Sequence, residues 1–357
     1  MLRRSSQTDP NIRMRCPRLA DLPPPPPGRT GWPWTVETLR LPTQRPDGTP
    51  WPCISIVTPS YNQGEFIEET LRSVLLQGYP DLEYMVIDGD STDGSVDIIR
   101  KYAHWLTHWV SEPDRGQAHA IDKGLESSTG DIFQWINSDD VLAAGALGTV
   151  ATAFAGDHID AVAGAVRNFW HDTDRAEVVA NRQIDWQSLV LEHRRSLFHQ
   201  PGVWLKTERL RRGIAHALDF RYLFDWLLII QFMERYGSIA YLPDVLVHFR
   251  FHPQSKSVLE LAKFAKERRA GYEFLIAESG SRRLRAAASL ALRRFDFYST
   301  VRDVDADRSM GGLRSAALIM RSLMLSRDVS LTRFAAGAIK RILLRGAPGR
   351  IPGQLSQ

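Results

Sequence analysis

Four short apolar runs alternate with three amphipathic stretches in the hundred residues after Pro52, and this alternation limits the fold more than any other feature. The runs are residues 54–58, 84–87, 109–110 and 132–136, all rich in β-branched and aromatic side chains. Between the first two, Phe66, Thr70, Leu71, Val74 and Leu75 share one face of a helix over 65–77, which Gly78-Tyr79-Pro80 stops. Residues 95–106 place Val96, Ile99 and Tyr102 on one face, and Arg115-Gly116-Gln117 opens a third helix ending near Ser127. Such a β-α-β-α-β-α-β order predicts an α/β domain, a mainly parallel sheet with helices on both faces.

The polar residues of interest fall at the carboxyl ends of these strands, where open α/β sheets bind ligands. The run 132–136 leads into Asn137-Ser138-Asp139-Asp140. In an extended segment residues i and i+2 point the same way, so Asn137 and Asp139 could face one hard divalent cation, Mn²⁺ or Mg²⁺. The alternative is that the cluster caps a helix starting near Val141 and running to Gly156. Both readings stay open on these residues alone. No G-x-G-x-x-G follows a strand, and no G-x-x-x-x-G-K-[ST], G-x-S-x-G, H-E-x-x-H or C-x-x-C occurs. Any phosphate bound here is therefore expected to be held through a metal.

Residues 1–52 hold 12 of the 20 prolines, including Pro23 to Pro27, and read as a disordered or wrapping arm that Trp32, Trp34 and Trp51 pin. Residues 53–255 are expected to form the main domain, with halves at 53–140 and 141–255. Residues 256–357 are expected to be a basic helical region. From Glu260 onward there are 19 Lys+Arg against 9 Asp+Glu, a net +10, which suits an anionic partner or a solvated helical face. Leu331, Phe334, Ala335, Ala338 and Ile342 would share one helical face there, consistent with peripheral membrane contact or with core packing. Two cysteines, an apolar-poor start and no run near the roughly 18 residues of a span predict a cytoplasmic chain, peripheral at the inner membrane face.

The motifs Ile54-Ser55-Ile56-Val57-Thr58-Pro59-Ser60-Tyr61-Asn62, Val86-Ile87-Asp88-Gly89-Asp90-Ser91-Thr92-Asp93-Gly94-Ser95 and Asn137-Ser138-Asp139-Asp140 together resemble glycosyltransferase family 2. Val110-Ser111-Glu112-Pro113-Asp114-Arg115-Gly116-Gln117 is similar to a bacterial branch of that family. The resemblance covers about residues 52 to 255. It implies a GT-A, Rossmann-like nucleotide-sugar fold. It implies that Pro59, Tyr61 and Asp88 hold a nucleoside, with Asp88 accepting the uracil imide N–H, unless Asp88 is a turn carboxylate. Asp90, Gln117 and Asn137 are implied at the nucleotide sugar, and Asp114 and Gln117 either reach it or serve their turn. Asp93 is expected to cap the next helix.

Asn137-x-Asp139 stands where the family has Asp-x-Asp, so one carboxylate is an amide and Asp139 becomes the main metal ligand. His252 is a second candidate ligand, and Arg250 and His252 could reach diphosphate or metal. A carboxylate opening a later helix serves as base in the family. Asp225 matches it, with Asp219 as the alternative, and its neighbours Phe224, Trp226, Leu227 and Leu228 are apolar.

The resemblance thus implies an inverting, metal-assisted glycosyltransferase acting on a uridine-based sugar donor. Its acceptor would be a saccharide or lipid-linked hydroxyl in surface polysaccharide or glycolipid synthesis, and no nucleic-acid partner is expected. The competing readings are a nucleotidyltransferase and a non-catalytic scaffold of the same fold.

Overall fold

The computed structural model describes residues 16–156, 158–182, 185–191, 199–212, 217–254, 261–307, 312–325 and 340, in two compact units. The basic helix expected around Leu331 to Ile342 lies outside the described residues, Lys340 apart.

The first unit is built on one nine-stranded sheet: β1 (Ile54–Ser60), β2 (Leu82–Asp88), β3 (His108–Ser111), β4 (Ile132–Trp135), β5 (Val141–Leu142), β6 (Ala161–Trp170), β7 (Ala176–Val179), β8 (Val203–Lys206) and β9 (Ile239–Phe251). Their spatial order is β3-β2-β1-β4-β8-β6-β9-β5, with β7 on β6. The parallel pattern expected from the alternation holds across β3-β2-β1-β4. Beyond β4 the sheet is mixed: β8 is antiparallel to β4 and to β6, β9 is parallel to β6, and β5 is antiparallel to β9. Strand order therefore reverses around β1, whose neighbours β2 and β4 are reached in opposite directions. A crevice opens at the carboxyl ends of the strands at such a point.

Helices α1 (Ile67–Leu75), α2 (Ser95–Tyr102), α3 (Gln117–Ser127), α4 (Ala146–Ala153), α6 (Thr207–Leu210) and α7 (Phe224–Arg235) flank the sheet. The expected helix from Val141 is shorter than its composition suggested. Val141 and Leu142 are apolar, and pair with His248 and Val247 of β9 before Gly145 turns the chain into α4. That removes the reading in which residues 137–140 cap a helix. Close packing fixes α3 over β1: a Cβ at Gly124 would lie 2.4 Å from a methyl of Val57.

The described part of the arm wraps onto this unit. Trp34 and Trp51 are buried, and Trp32 Nε1 donates to the Leu142 carbonyl at 2.8 Å. The wrap is fastened by Arg72 of α1, which is 0% exposed. Its guanidinium donates to the carbonyls of Pro33 (3.1 Å), Pro23 (2.8 Å) and Trp34 (2.9 Å) and to Tyr102 Oη (3.1 Å). Proline-rich chain offers carbonyls but few N–H groups, so a buried fork of donors is what such a segment needs. Replacing Arg72 by Met would strand those acceptors. The expected loss is about 3 kcal/mol or more in urea denaturation; a loss under about 1 kcal/mol would show that the arm is not fastened there.

The second unit is helical. It takes α5 (Trp186–Leu191) from within the stretch expected to be the acceptor half, together with α8 (Leu261–Glu278), α9 (Arg282–Ala306) and α10 (Gly312–Leu325). Ser281 caps α9 by accepting from Leu284 N, and Tyr272, Leu284, Ala288, Phe297 and Ile319 are buried. Among the described residues no helix is long and apolar enough to cross a membrane.

Candidate active site

The loops after β1, β2 and β3 are tied to one another. Gly89 N donates to Ser60 O (2.8 Å) and Glu112 N to Asp88 O (3.0 Å). Asp88 lies at the centre, 0% exposed. Its Oδ1 accepts Ser60 Oγ (2.9 Å) and Ser91 Oγ (2.6 Å). Its Oδ2 accepts Ser91 N (2.9 Å) and Ser111 Oγ (2.7 Å). A carboxylate has about four lone-pair positions, and all four are taken. Asp88, expected at the nucleoside, thus ties three strand ends together. Asp93, expected to cap α2, stands one residue before the Gly94 N-cap; it accepts Ser95 N and Oγ, and also takes Gly64 N at 2.7 Å. Those bonds hold its carboxyl below its usual value against the opposing effect of partial burial.

Pro59 sits where only one side of β1 is still paired, so its missing N–H costs no ladder bond. Tyr61 follows, 64% exposed, the one large ring standing out from this cluster of loops. Asp90 is exposed in a left-handed backbone conformation (φ 68°), one that non-glycine residues adopt rarely.

Across the crevice, residues 137–140 form a turn closed by Asp140 N to Asn137 O at 3.1 Å, not an extended segment. The turn parts the two residues expected to face one ion. Asn137 Oδ1 accepts Gln117 Nε2 (2.6 Å) and its Nδ2 donates to Asp140 (3.1 Å). Asp139 instead points its Oδ2 at His252 Nε2, 3.0 Å away. Asp140 is fully buried, and its carboxyl is raised well above the ordinary range, first by burial and then by the Asp139 charge.

Arg250, expected at diphosphate or metal, lies beside the Asp139 turn. Its guanidinium donates to the turn and its surroundings: Nε to Asp139 O (2.8 Å), Nη2 to Glu69 (3.0 Å) and Nη1 on His171 Nδ1 (3.2 Å). Its backbone N–H reaches Asp140 Oδ1 at 3.0 Å. Phe66 and Phe169 lie against it, with ring centroids 4.9 and 4.7 Å from the guanidinium carbon. Arg250 therefore braces Asp139 and Asp140. No local pattern announces this brace, because Glu69, His171 and Arg250 are far apart in sequence.

The third wall comes from the second half of the sheet. Gln134 Nε2 donates to Pro201 O (3.0 Å) and Val203 O (2.6 Å), and Gln200 returns a bond to Gln134 Oε1 (3.0 Å). This pair, unforeseen from the sequence, anchors the end of β4 that carries Asn137. A Cβ at Gly202 would lie 2.4 Å from Gly164 O, so only glycine fits there. Helix α7 begins against the same strand end, with the Phe224 ring 6.2 Å from that of Trp135. Half-buried Asp225 lies in its first turn and accepts Trp226 N at 2.7 Å.

Asp139 and His252 are the pair that could hold a metal. One carboxylate and one imidazole suit Mn²⁺, a borderline cation, and Mg²⁺ less well. Among the described residues no group of three or more Asp, Glu, His or Cys forms a metal cage. A donor set of two fits a cation whose other ligands are diphosphate oxygens and water.

The family model described as Glycosyl transferase family 2 matches residues 55–214, which carry the β1 loop, the Asp88 loop and the Asp139 turn. Over these residues the chain is similar to glycosyltransferase family 2. The glycosyltransferase TuaG of Bacillus subtilis (strain 168) is 41% identical over 96 residues, 26% of this chain and 38% of TuaG. YibD of Escherichia coli (strain K12), an uncharacterised glycosyltransferase, is 26% identical over 164 residues, 45% of this chain and 44% of YibD. The chain thus spans under half the length of these relatives. Among solved structures, Staphylococcus aureus TarS 1–349 in complex with UDP-GlcNAc aligns with a TM-score of 0.53 at 15% identity, covering 82% of this chain and 90% of TarS 1–349. The mannosyltransferase PcManGT of Pyrobaculum calidifontis, in complex with GDP-Man and Mn²⁺, aligns with a TM-score of 0.50 at 21% identity, covering 84% and 87%. At these identities the likeness is one of fold, the GT-A architecture.

Proposed function

We propose that this domain transfers a glycosyl group from a uridine diphosphate sugar to an acceptor hydroxyl, with inversion. The observation that carries the reading is the Asp139–His252 pair, 3.0 Å apart, at the crevice where strand order reverses. TarS bound to UDP-GlcNAc and PcManGT bound to GDP-Man and Mn²⁺ support a nucleotide-sugar donor and a divalent metal.

In this reading Tyr61 stacks on the base, and Gln117 and Asn137 face the sugar nucleotide from the β4 side. Asp139 and His252 hold the cation, with Mn²⁺ preferred. When bound, the cation offsets the charge that builds on the departing diphosphate. Asp225 takes the proton from the acceptor hydroxyl as that oxygen attacks the anomeric carbon, so one displacement inverts the centre. The acceptor is a saccharide or lipid-linked hydroxyl of a surface polysaccharide or glycolipid, which rests on family analogy. Peripheral membrane contact through the +10 tail belongs to the same reading. Pelleting with anionic vesicles, lost in a chain ending near Ser257, tests it; equal pelleting of both chains contradicts it.

The reaction itself is tested by incubating the protein with a panel of nucleotide sugars and Mn²⁺ and assaying released nucleoside diphosphate. Release from a UDP-sugar supports the proposal. Release from none supports a scaffold that retains the fold.

A further inference from the structure

The Arg250 side chain is only 4% exposed, and a buried guanidinium is tolerated where its N–H groups are met. Nε and Nη2 are met by the Asp139 carbonyl and by Glu69. Nη1 is met by His171 Nδ1 at 3.2 Å. His171 directly follows β6, and its backbone N–H donates to Phe251 O at 2.9 Å. That bond seats it beside the end of β9 that carries Arg250 and leads to His252. A guanidinium donates and does not accept, so Nδ1 is the unprotonated nitrogen of this imidazole and Nε2 holds its proton. Nε2 faces Glu65 Oε1 at 3.4 Å. The buried Phe66 ring sets the imidazole edge-on, with centroids 5.3 Å apart, and the His252 ring lies 4.6 Å from the same phenyl. Glu65, His171 and Arg250 thus form a chain from the loop before α1 to the backbone of the Asp139 turn.

We propose that His171 is a positioning residue for the metal pair: its unprotonated Nδ1 holds the Arg250 fork on the Asp139 carbonyl, and so aims the Asp139 carboxylate at His252. The inference rests on the metal reading given above. The turn is closed by the bond from Asp140 N to Asn137 O, and Arg250 is what grips it from β9. With two protein donors, an error in the aim of either lowers cation affinity directly. The role asks for an acceptor at the δ position and for nothing else of the imidazole. His171→Asn keeps that acceptor, because its amide oxygen falls near the place of Nδ1. His171→Phe keeps a ring against Phe66 and removes the acceptor. His171→Gln carries its oxygen one bond further out, away from Nη1.

The alternative is that His171 only packs the turn between β6 and β7. The experiment titrates the full chain and the three variants with Mn²⁺ in the presence of UDP, reading free Mn²⁺ by electron paramagnetic resonance. Thermal unfolding of the same samples without metal is followed in parallel. His171→Phe and His171→Gln should each weaken Mn²⁺ binding about tenfold, the lower end of the loss when an outer partner of a metal ligand is removed. His171→Asn should stay within about threefold of wild type. The Gln variant carries the test if the Phe variant does not fold. Unchanged Mn²⁺ binding in His171→Gln, whatever the unfolding temperatures, overturns the inference. So does a loss in His171→Asn as large as in His171→Gln. Both results leave the proposed function standing. A wild type that binds no Mn²⁺ with UDP overturns the metal reading as well.

Discussion

Asp225→Asn is expected to lower the transfer rate at saturating donor by at least about a hundredfold, the usual worth of a positioned base. Structure makes the substitution a clean one. Asp225 lies in the first turn of α7, and the bond it accepts from Trp226 N at 2.7 Å needs only an oxygen. The amide supplies that oxygen, so the helix start is kept. UDP binding is expected within about twofold of wild type, because the base, ribose and metal positions lie on other loops. Slow hydrolysis of the donor should persist, since water can attack without the base. If Asp225 only caps α7, the Asn variant will transfer within a few-fold of wild type. That outcome would remove Asp225 from the mechanism and direct attention to Asp219.

Asp139→Ala is expected to abolish transfer and to remove the Mn²⁺ dependence of UDP binding, while the protein stays folded. The fold should survive because Arg250 reaches the turn through the Asp139 carbonyl, and through Asp140, not through the Asp139 side chain. What is lost is the carboxylate facing His252. His252→Ala should act in the same direction but more weakly, since it removes a neutral ligand and leaves the charge. Undiminished activity of Asp139→Ala in metal-free buffer would exclude the assignment.

The order of elements in the parallel half could be read from the residues, because each strand is a short apolar run between turn signals. The loops that would carry the chemistry were located for the same reason: strand-end polar residues have few other uses. The geometry within those loops was less accessible. Asn137 and Asp139 are two apart, but the Asn-Ser-Asp-Asp sequence turns, and the turn sends one side chain to Gln117 and the other to His252. The four bonds that Asp88 accepts come from Ser60, Ser91 and Ser111, and no spacing reveals that they converge. Val141 and Leu142 read as helix and form a strand because β9 offers a pairing edge, a tertiary cause. The pairings of the mixed half have the same tertiary cause. Its antiparallel pairings join residues such as Phe133 and Leu205 across long connections.

The claim that the crevice holds a nucleotide sugar through Asp139 and His252 is tested most directly by one assay: nucleoside diphosphate release from a UDP-sugar panel, run with Mn²⁺ and again after chelation. Release in Mn²⁺ from at least one UDP-sugar, lost on chelation and restored by added Mn²⁺, is the predicted result. Release that continues unchanged in chelator, or none from any UDP-sugar while a GDP-sugar is turned over, would contradict it.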